Sequence, residues 1–217
     1  LDLARKQAGA DNPDTLVTAH NLAFLYQSMG RHDEAEPLFI DTLERCQRVF
    51  GPAHPGTMTC TQSLASLYQV TDRPDEAIVL MEGALEGARS ATGPESPTVI
   101  DLSRTLGAMY AQHGRAEEGE ALLAGALPAL RRMAPEDHPM LGDMLSTWGE
   151  CLRRCERLDE SRDALTEAYE ILSAAQGQRN AEKARTAAER LARVWRALSD
   201  EDEAARWEAL SQQPTGG

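Results

Sequence analysis

Apolar positions recur along this chain in two registers at once. At short range they fall three and four residues apart, as in Ala35, Leu38, Phe39, Thr42, Leu43 and Cys46, the spacing that builds one face of an amphipathic α-helix. At long range the same columns return every 42 residues. Leu22, Leu64, Leu106 and Trp148 share one column, Ala23, Ala65, Gly107 and Gly149 the next, and Tyr26, Tyr68, Tyr110 and Leu152 a third. Proline returns with them at Pro13, Pro55, Pro97 and Pro139, and arginine at Arg31, Arg73, Arg115 and Arg157. A fixed period of this length marks stacked supersecondary units, each burying its apolar face against its neighbours.

Two helices are predicted per unit. The first opens at Asn12-Pro13, His54-Pro55, Ser96-Pro97 and His138-Pro139, where proline at the first helical position loses no needed donor and the preceding residue can cap. It stops near Gly30, Asp72, Gly114 and Glu156. The second opens on acidic pairs at 33 and 34, 75 and 76, 117 and 118, and 159 and 160, which suit the positive end of a helix dipole better than catalysis. It ends near Gly51, Gly93 and Gly177. Small residues at 35, 77, 119 and 161 are expected where two helices cross closely.

These columns divide the chain into repeats over 9–50, 51–92, 93–134 and 135–176 and a degenerate capping repeat over 177–211, with a tail over 212–217. In the last repeat, Leu191 to Trp195 match Leu22 to Tyr26 only after an insertion of one residue. Its polar end at Gln212, Gln213, Pro214 and Thr215 is expected to cap the stack. Residues 1–8 read as the end of a helix from a preceding repeat, because Leu1, Ala4 and Gly9 fall one period before Leu43, Cys46 and Gly51. The chain is therefore expected to be a piece of a longer protein, with Leu1, Ala4 and the stem of Arg5 under-buried.

The Leu-Ala/Gly-x-Leu-Tyr and Gly-Arg-x-Asp-Glu-Ala columns resemble the tetratricopeptide repeat, and the period with His54-Pro55-Gly56-Thr57 is similar to its 42-residue kinesin light chain type. Ser96-Pro97-Thr98-Val99 and His138-Pro139-Met140-Leu141 depart from that lead-in. The resemblance implies an all-α fold, a right-handed solenoid of antiparallel helix pairs whose first helices line a concave groove. Carried over by column, the groove positions are Val17, His20, Asn21, Phe24 and Gln27, then Gln62, Ser63, Gln69 and Val70, then Arg104, and then Glu150, Arg153 and Arg154. Arg193 and Arg196 of the last repeat extend them, with Arg190 and Lys183 close by. These arginines would bind the carboxylates of an acidic peptide, unless Glu150, Glu182 and Glu189 already neutralise them. Val17, Phe24 and Val70 offer an apolar footing. Relatives that grip chaperone tails use a clamp of Lys and Asn, then Asn, then Lys with Arg, whereas the matching positions here hold Val17 and Asn21, then Ser63, then Asp101 and Thr105, so that ligand is not expected.

Charge and chemistry narrow the picture further. A net charge of -13 disfavours nucleic acid, whose binding draws on Lys and Arg. The apolar runs are too short for a membrane span, and no leader opens the chain, so no membrane partner is expected and a cytoplasmic location is. Cys46, Cys60 and Cys151 fall in core columns and only Cys155 near a helix end, a pattern for a reducing compartment. Cys151, Cys155 and His113 are expected to be packing residues rather than metal ligands, and Trp148, Trp195 and Trp207 core rather than cofactor stacking. No phosphate loop, nucleophile elbow or metalloprotease motif occurs, so neither enzyme activity nor a cofactor is expected. The expected function is a protein interaction scaffold that binds a peptide or partner domain. The alternative is a regulatory array acting on its own missing amino-terminal signalling domain, such as a protein kinase.

Overall fold

The computed structural model describes residues 1–212; Gln213, Pro214 and Thr215, expected to close the stack, lie outside them. Among the described residues the chain is wholly helical: α1 (Asp2–Ala8), α2 (Pro13–Ser28), α3 (His32–Phe50), α4 (Pro55–Val70), α5 (Pro74–Thr92), α6 (Pro97–Gln112), α7 (Ala116–Met133), α8 (Pro139–Arg154), α9 (Leu158–Ala174), α10 (Gln178–Ala197) and α11 (Glu201–Ser211). Three residues join α2 to α3, α4 to α5, α6 to α7, α8 to α9 and α10 to α11. So short a link returns the chain antiparallel to itself. The architecture is an all-α solenoid of such pairs, and it divides into two compact units, Leu1–Leu102 and one beginning at Ser103.

The helix starts are built as their sequence dictates. Asn12 accepts from the Asp14 N–H at 2.9 Å, and His54 and His138 accept through Nδ1 from the N–H groups of Gly56 and Met140 at 3.1 and 3.2 Å. The two histidines that precede prolines are therefore caps. At the turn into each second helix the backbone takes positive φ, 72° at Gly30 and 78° at Gly114, but also 59° at Asp72 and 61° at Glu156, where a side chain bears some strain.

Packing explains the small-residue columns. At Gly149 an added methyl would sit 2.5 Å from Leu165 Cγ, and at Gly119 it would sit 2.9 Å from the Gly107 carbonyl oxygen. Ser161, in the Gly119 column, donates to the Gly149 carbonyl at 2.7 Å. The helices thus touch backbone to side chain, with no room for a branch. In the second unit Leu165, Leu191 and Val194 form a buried cluster, against which Tyr169, Trp195 and Trp207 pack, so Trp195 and Trp207 contribute to the core.

A device missed in the sequence recurs four times. Arg31, Arg73 and Arg115 each lie 4.3–4.5 Å over the ring of Tyr26, Tyr68 or Tyr110 and fork onto Glu34, Glu76 or Glu118. Arg157 forks onto Glu160 in the same way, and Leu152 replaces the ring. The second acid of each pair therefore holds an arginine across the turn, which dipole complementation alone did not suggest.

The amino-end helix is under-buried: Leu1 and Ala4 are half-buried where Leu43 and Cys46 one period on are buried, and Leu3 beside them is 67% exposed. On the far half of α2, Leu25 is also 52% exposed and Met29 is exposed with it. The same column is 0% exposed at Leu67. The seven residues of α1 are held to α3 by Arg5, whose guanidinium lies 2.8 Å from Asp41.

Candidate functional site

In the first unit the predicted groove residues of α2 and α4 share one direct link. His20 and Ser63 join through Nε2 and Oγ at 2.9 Å, and the His20 ring stands edge-on to buried Phe39 at 5.7 Å. Burial pulls the His20 pKa below its ordinary 6.5, with a hydrogen bond to the Asn21 side chain opposing. Asn21, Gln62 and Gln69 are exposed and Gln27 is half-buried. Val17, Phe24 and Val70 are all largely exposed, and Val17 and Phe24, seven residues apart, lie on one face of α2.

In the second unit the same columns converge. Ala108, Ala111 and Gln112 of α6, Thr147, Glu150 and Arg154 of α8, and Arg190 and Arg193 of α10 line a cavity of about 220 Å³. Farther along these helices Asp143 accepts from Lys183 at 2.6 Å and lies 3.6 Å from Arg104. Beside the cavity, buried Glu150 takes two bonds from Arg153 at 2.8 and 3.0 Å and one from Arg154 at 2.7 Å. Burial pushes the Glu150 carboxyl up, but these donors and the field of Arg190 outweigh it and hold its pKa at about 2. Arg153 and Arg154 are in this respect partly neutralised, as the sequence allowed. Arg190 is paired differently, with Nη1 donating to the Ser146 carbonyl and to Ser146 Oγ at 2.8 Å each. Burial pulls the Arg190 pKa down, and Glu150 and Asp143 oppose that pull.

The structure separates two arginines that the repeat register puts side by side. Arg193 lines the cavity, whereas Arg196 turns toward α11, 3.1 Å from Glu208 and 3.8 Å from Glu201. Arg190, which the sequence set close by the groove, lines the cavity itself. The insertion in the last repeat puts it in the column of Asn21, Ser63, Thr105 and Thr147, which is the signal that could have found it.

The thiols offer little reactivity. Cys46 and Cys60 are buried with their sulfurs 3.7 Å apart, and Cys151 is buried against the Gly107 carbonyl. Burial pushes Cys60 and Cys151 up to about 12, which keeps them protonated. Among the described residues, no three His, Cys, Asp or Glu side chains converge as metal ligands would, and no helix is long and apolar enough to cross a membrane.

Comparison with known proteins agrees with this geometry. The family model for the tetratricopeptide repeat matches residues 14–82 and 58–132, together more than half of the chain. No curated protein matches. Among solved structures, BtubC (BKLC) from P. vanneervenii is similar at 21% identity and a TM-score of 0.80, covering 100% of this chain and 89% of that one. The nearly identical TPR-like repeats attributed to a kinesin light chain of Podosopora anserina reach 20% identity and 0.71, covering 93% and 95%. YrrB, a TPR protein with an unusual peptide-binding site, reaches 17% and 0.58, covering 97% and 89%. At such identities the likeness is one of fold.

Proposed function

The chain belongs to the tetratricopeptide repeat family, and on that premise we propose that it is a non-enzymatic interaction scaffold whose first helices bind a peptide or a partner domain. One observation carries the reading. Between repeats the packing columns keep their residue type, while the exposed columns of the first helices change from apolar and amide side chains in one unit to a charged cavity in the other. A surface that varies over a fixed frame is what a ligand face requires. The 42-residue period supports the kinesin light chain type, and the peptide-binding site of YrrB shows that this fold can serve such a role. Fold alone would not carry the function. The net charge of -13 supports a protein partner over nucleic acid, and the protonated buried thiols suit a cytoplasmic setting.

The test is to select peptides from a random library on the immobilised protein and map the bound surface by amide chemical shifts. The expected result is perturbation along the first helices, at residues such as Asn21, Gln69, Thr147 and Arg193. A footprint on the outward faces of α3, α5, α7, α9 and α11 would overturn the proposal.

A further inference from the structure

The geometry points to the cavity between α6, α8 and α10 as a receptor for a carboxylate carried on the side chain of a bound peptide. This inference deepens the scaffold reading and rests on it. The charge balance is the first observation. Three guanidinium groups, of Arg154, Arg190 and Arg193, meet one carboxylate, that of Glu150, on the cavity wall. That carboxylate is committed along its own helix, to Arg153 and Arg154. A cationic pocket in a chain of net charge -13 is a local reversal that the overall field does not supply.

The second observation is the state of Arg190. A guanidinium carries five N–H groups in a planar fork. In Arg190 both protein bonds are made by Nη1, to the carbonyl and hydroxyl oxygens of Ser146. Among the described residues, no acceptor meets its Nε or Nη2. Arg190 is half-buried, so its unpaired donors open onto the cavity while burial acts against its charged form. Arg193 adds a second positive charge beside it and has no ion pair among the described residues. A carboxylate entering the cavity would accept from the free edge of Arg190, offset the repulsion between Arg190 and Arg193, and reach the amide of Gln112 at the wall.

Size and setting select the ligand. At about 220 Å³ the cavity is far larger than the ~30 Å³ share of one water molecule, so it takes a carboxylate together with its stem. The polar face continues beyond it to Asp143, Lys183 and Arg104. A peptide can therefore run across the three helices and lower an acidic side chain into the cavity on the way.

The probe is a short oligoglutamate peptide blocked at both ends, titrated into the protein by calorimetry against a blocked oligoglutamine peptide, a free-ended oligoglutamine peptide and inorganic phosphate. Oligoglutamate is expected to bind and to weaken with added salt, while blocked oligoglutamine does not bind. Arg193→Gln and Arg190→Lys should each weaken it by roughly tenfold. Arg196→Gln, the same change in net charge three residues away, should bind like the parent. Arg193 is exposed, so its variant keeps the test open if Arg190→Lys loses helical signal. Oligoglutamate that fails to bind, or that binds Arg193→Gln as it binds the parent, overturns the inference. Phosphate or the free-ended peptide binding in its place overturns the assignment to a side-chain carboxylate. If library peptides still footprint on the first helices while oligoglutamate does not bind, the scaffold reading stands and this inference alone falls.

Discussion

In the first unit the faces of α2 and α4 are tied by one neutral contact, His20 to Ser63, and present exposed Val17, Phe24 and Val70. In the second unit the faces of α6, α8 and α10 carry the ions of Arg104, Asp143, Lys183 and Glu150 and a cavity lined by Arg154, Arg190 and Arg193. Both faces stand on the same frame: buried small residues at 23 and 65 in one unit and 107 and 149 in the other, with the arginine fork repeated across both. The contrast separates two kinds of selection on one sequence. Packing fixes the columns that point inward, and nothing in the frame dictates what the outward columns must be.

Substitutions in the frame should give the largest effects. Gly149→Ala puts a methyl 2.5 Å from Leu165 Cγ, and overpacking of that kind costs about 2–3 kcal/mol. The reverse change in the same column of the first unit, Ala65→Gly, removes a methyl and some helix propensity, at about 1 kcal/mol. Urea unfolding midpoints should separate the two variants in that order. Equal losses would mean that the frame does not distinguish the units.

The next effect comes from charge. Glu150→Gln leaves Arg153 and Arg154 without their carboxylate in a mostly buried position and should cost about 2 kcal/mol at neutral pH. The folded pKa of Glu150, at about 2, lies below the ordinary 4.5, so its contribution is complete above 4.5 and is lost as the pH falls toward 2. His20 obeys the same sign from a different cause. Burial depresses its pKa, so its contribution is present above 6.5 and drains as the pH falls below that value. A stability profile against pH should therefore show a mild slope below 6.5 that His20→Gln removes and a steeper one below 4.5 that Glu150→Gln removes. If the slopes do not follow these residues, the contrast between a neutral and an ionic face is wrong.

The smallest effect on stability should come from the apolar side chains of the first face. Val17→Asp and Phe24→Asp alter exposed positions and should shift the unfolding free energy by no more than about 0.5 kcal/mol. Any library peptide that footprints on α2 should nonetheless lose affinity for both variants.

How much of this was legible depends on what each feature answers to. The helix starts at Pro13, Pro55 and Pro139, their caps and the close crossings were legible because each answers to local backbone chemistry or to contact with an adjoining helix, repeated at a fixed spacing. The arginine fork was half legible. Its columns are plain in the sequence, but the stacking on Tyr26, Tyr68 and Tyr110 needs the turn to be folded first. Exposed Leu25 broke its column because burial depends on the helices packed around a position, not on the residue itself. In the candidate site, the convergence of the α6, α8 and α10 columns followed the period. Arg196 did not, because carboxylates on α11, which the first-helix columns ignore, draw it to Glu208. Arg190 was hidden behind one inserted residue.

The central claim is that a fixed frame presents its ligand on the first helices. It is tested most directly by measuring one library-selected peptide that footprints in the second unit against two charge reversals, Arg193→Glu on the face of α10 and Arg206→Glu on α11, where Arg206 pairs with Glu203 at 3.2 Å. Both variants change the net charge equally and both residues are exposed. The account predicts that Arg193→Glu abolishes binding while Arg206→Glu binds as the parent does. Binding that survives Arg193→Glu and is lost in Arg206→Glu would contradict it.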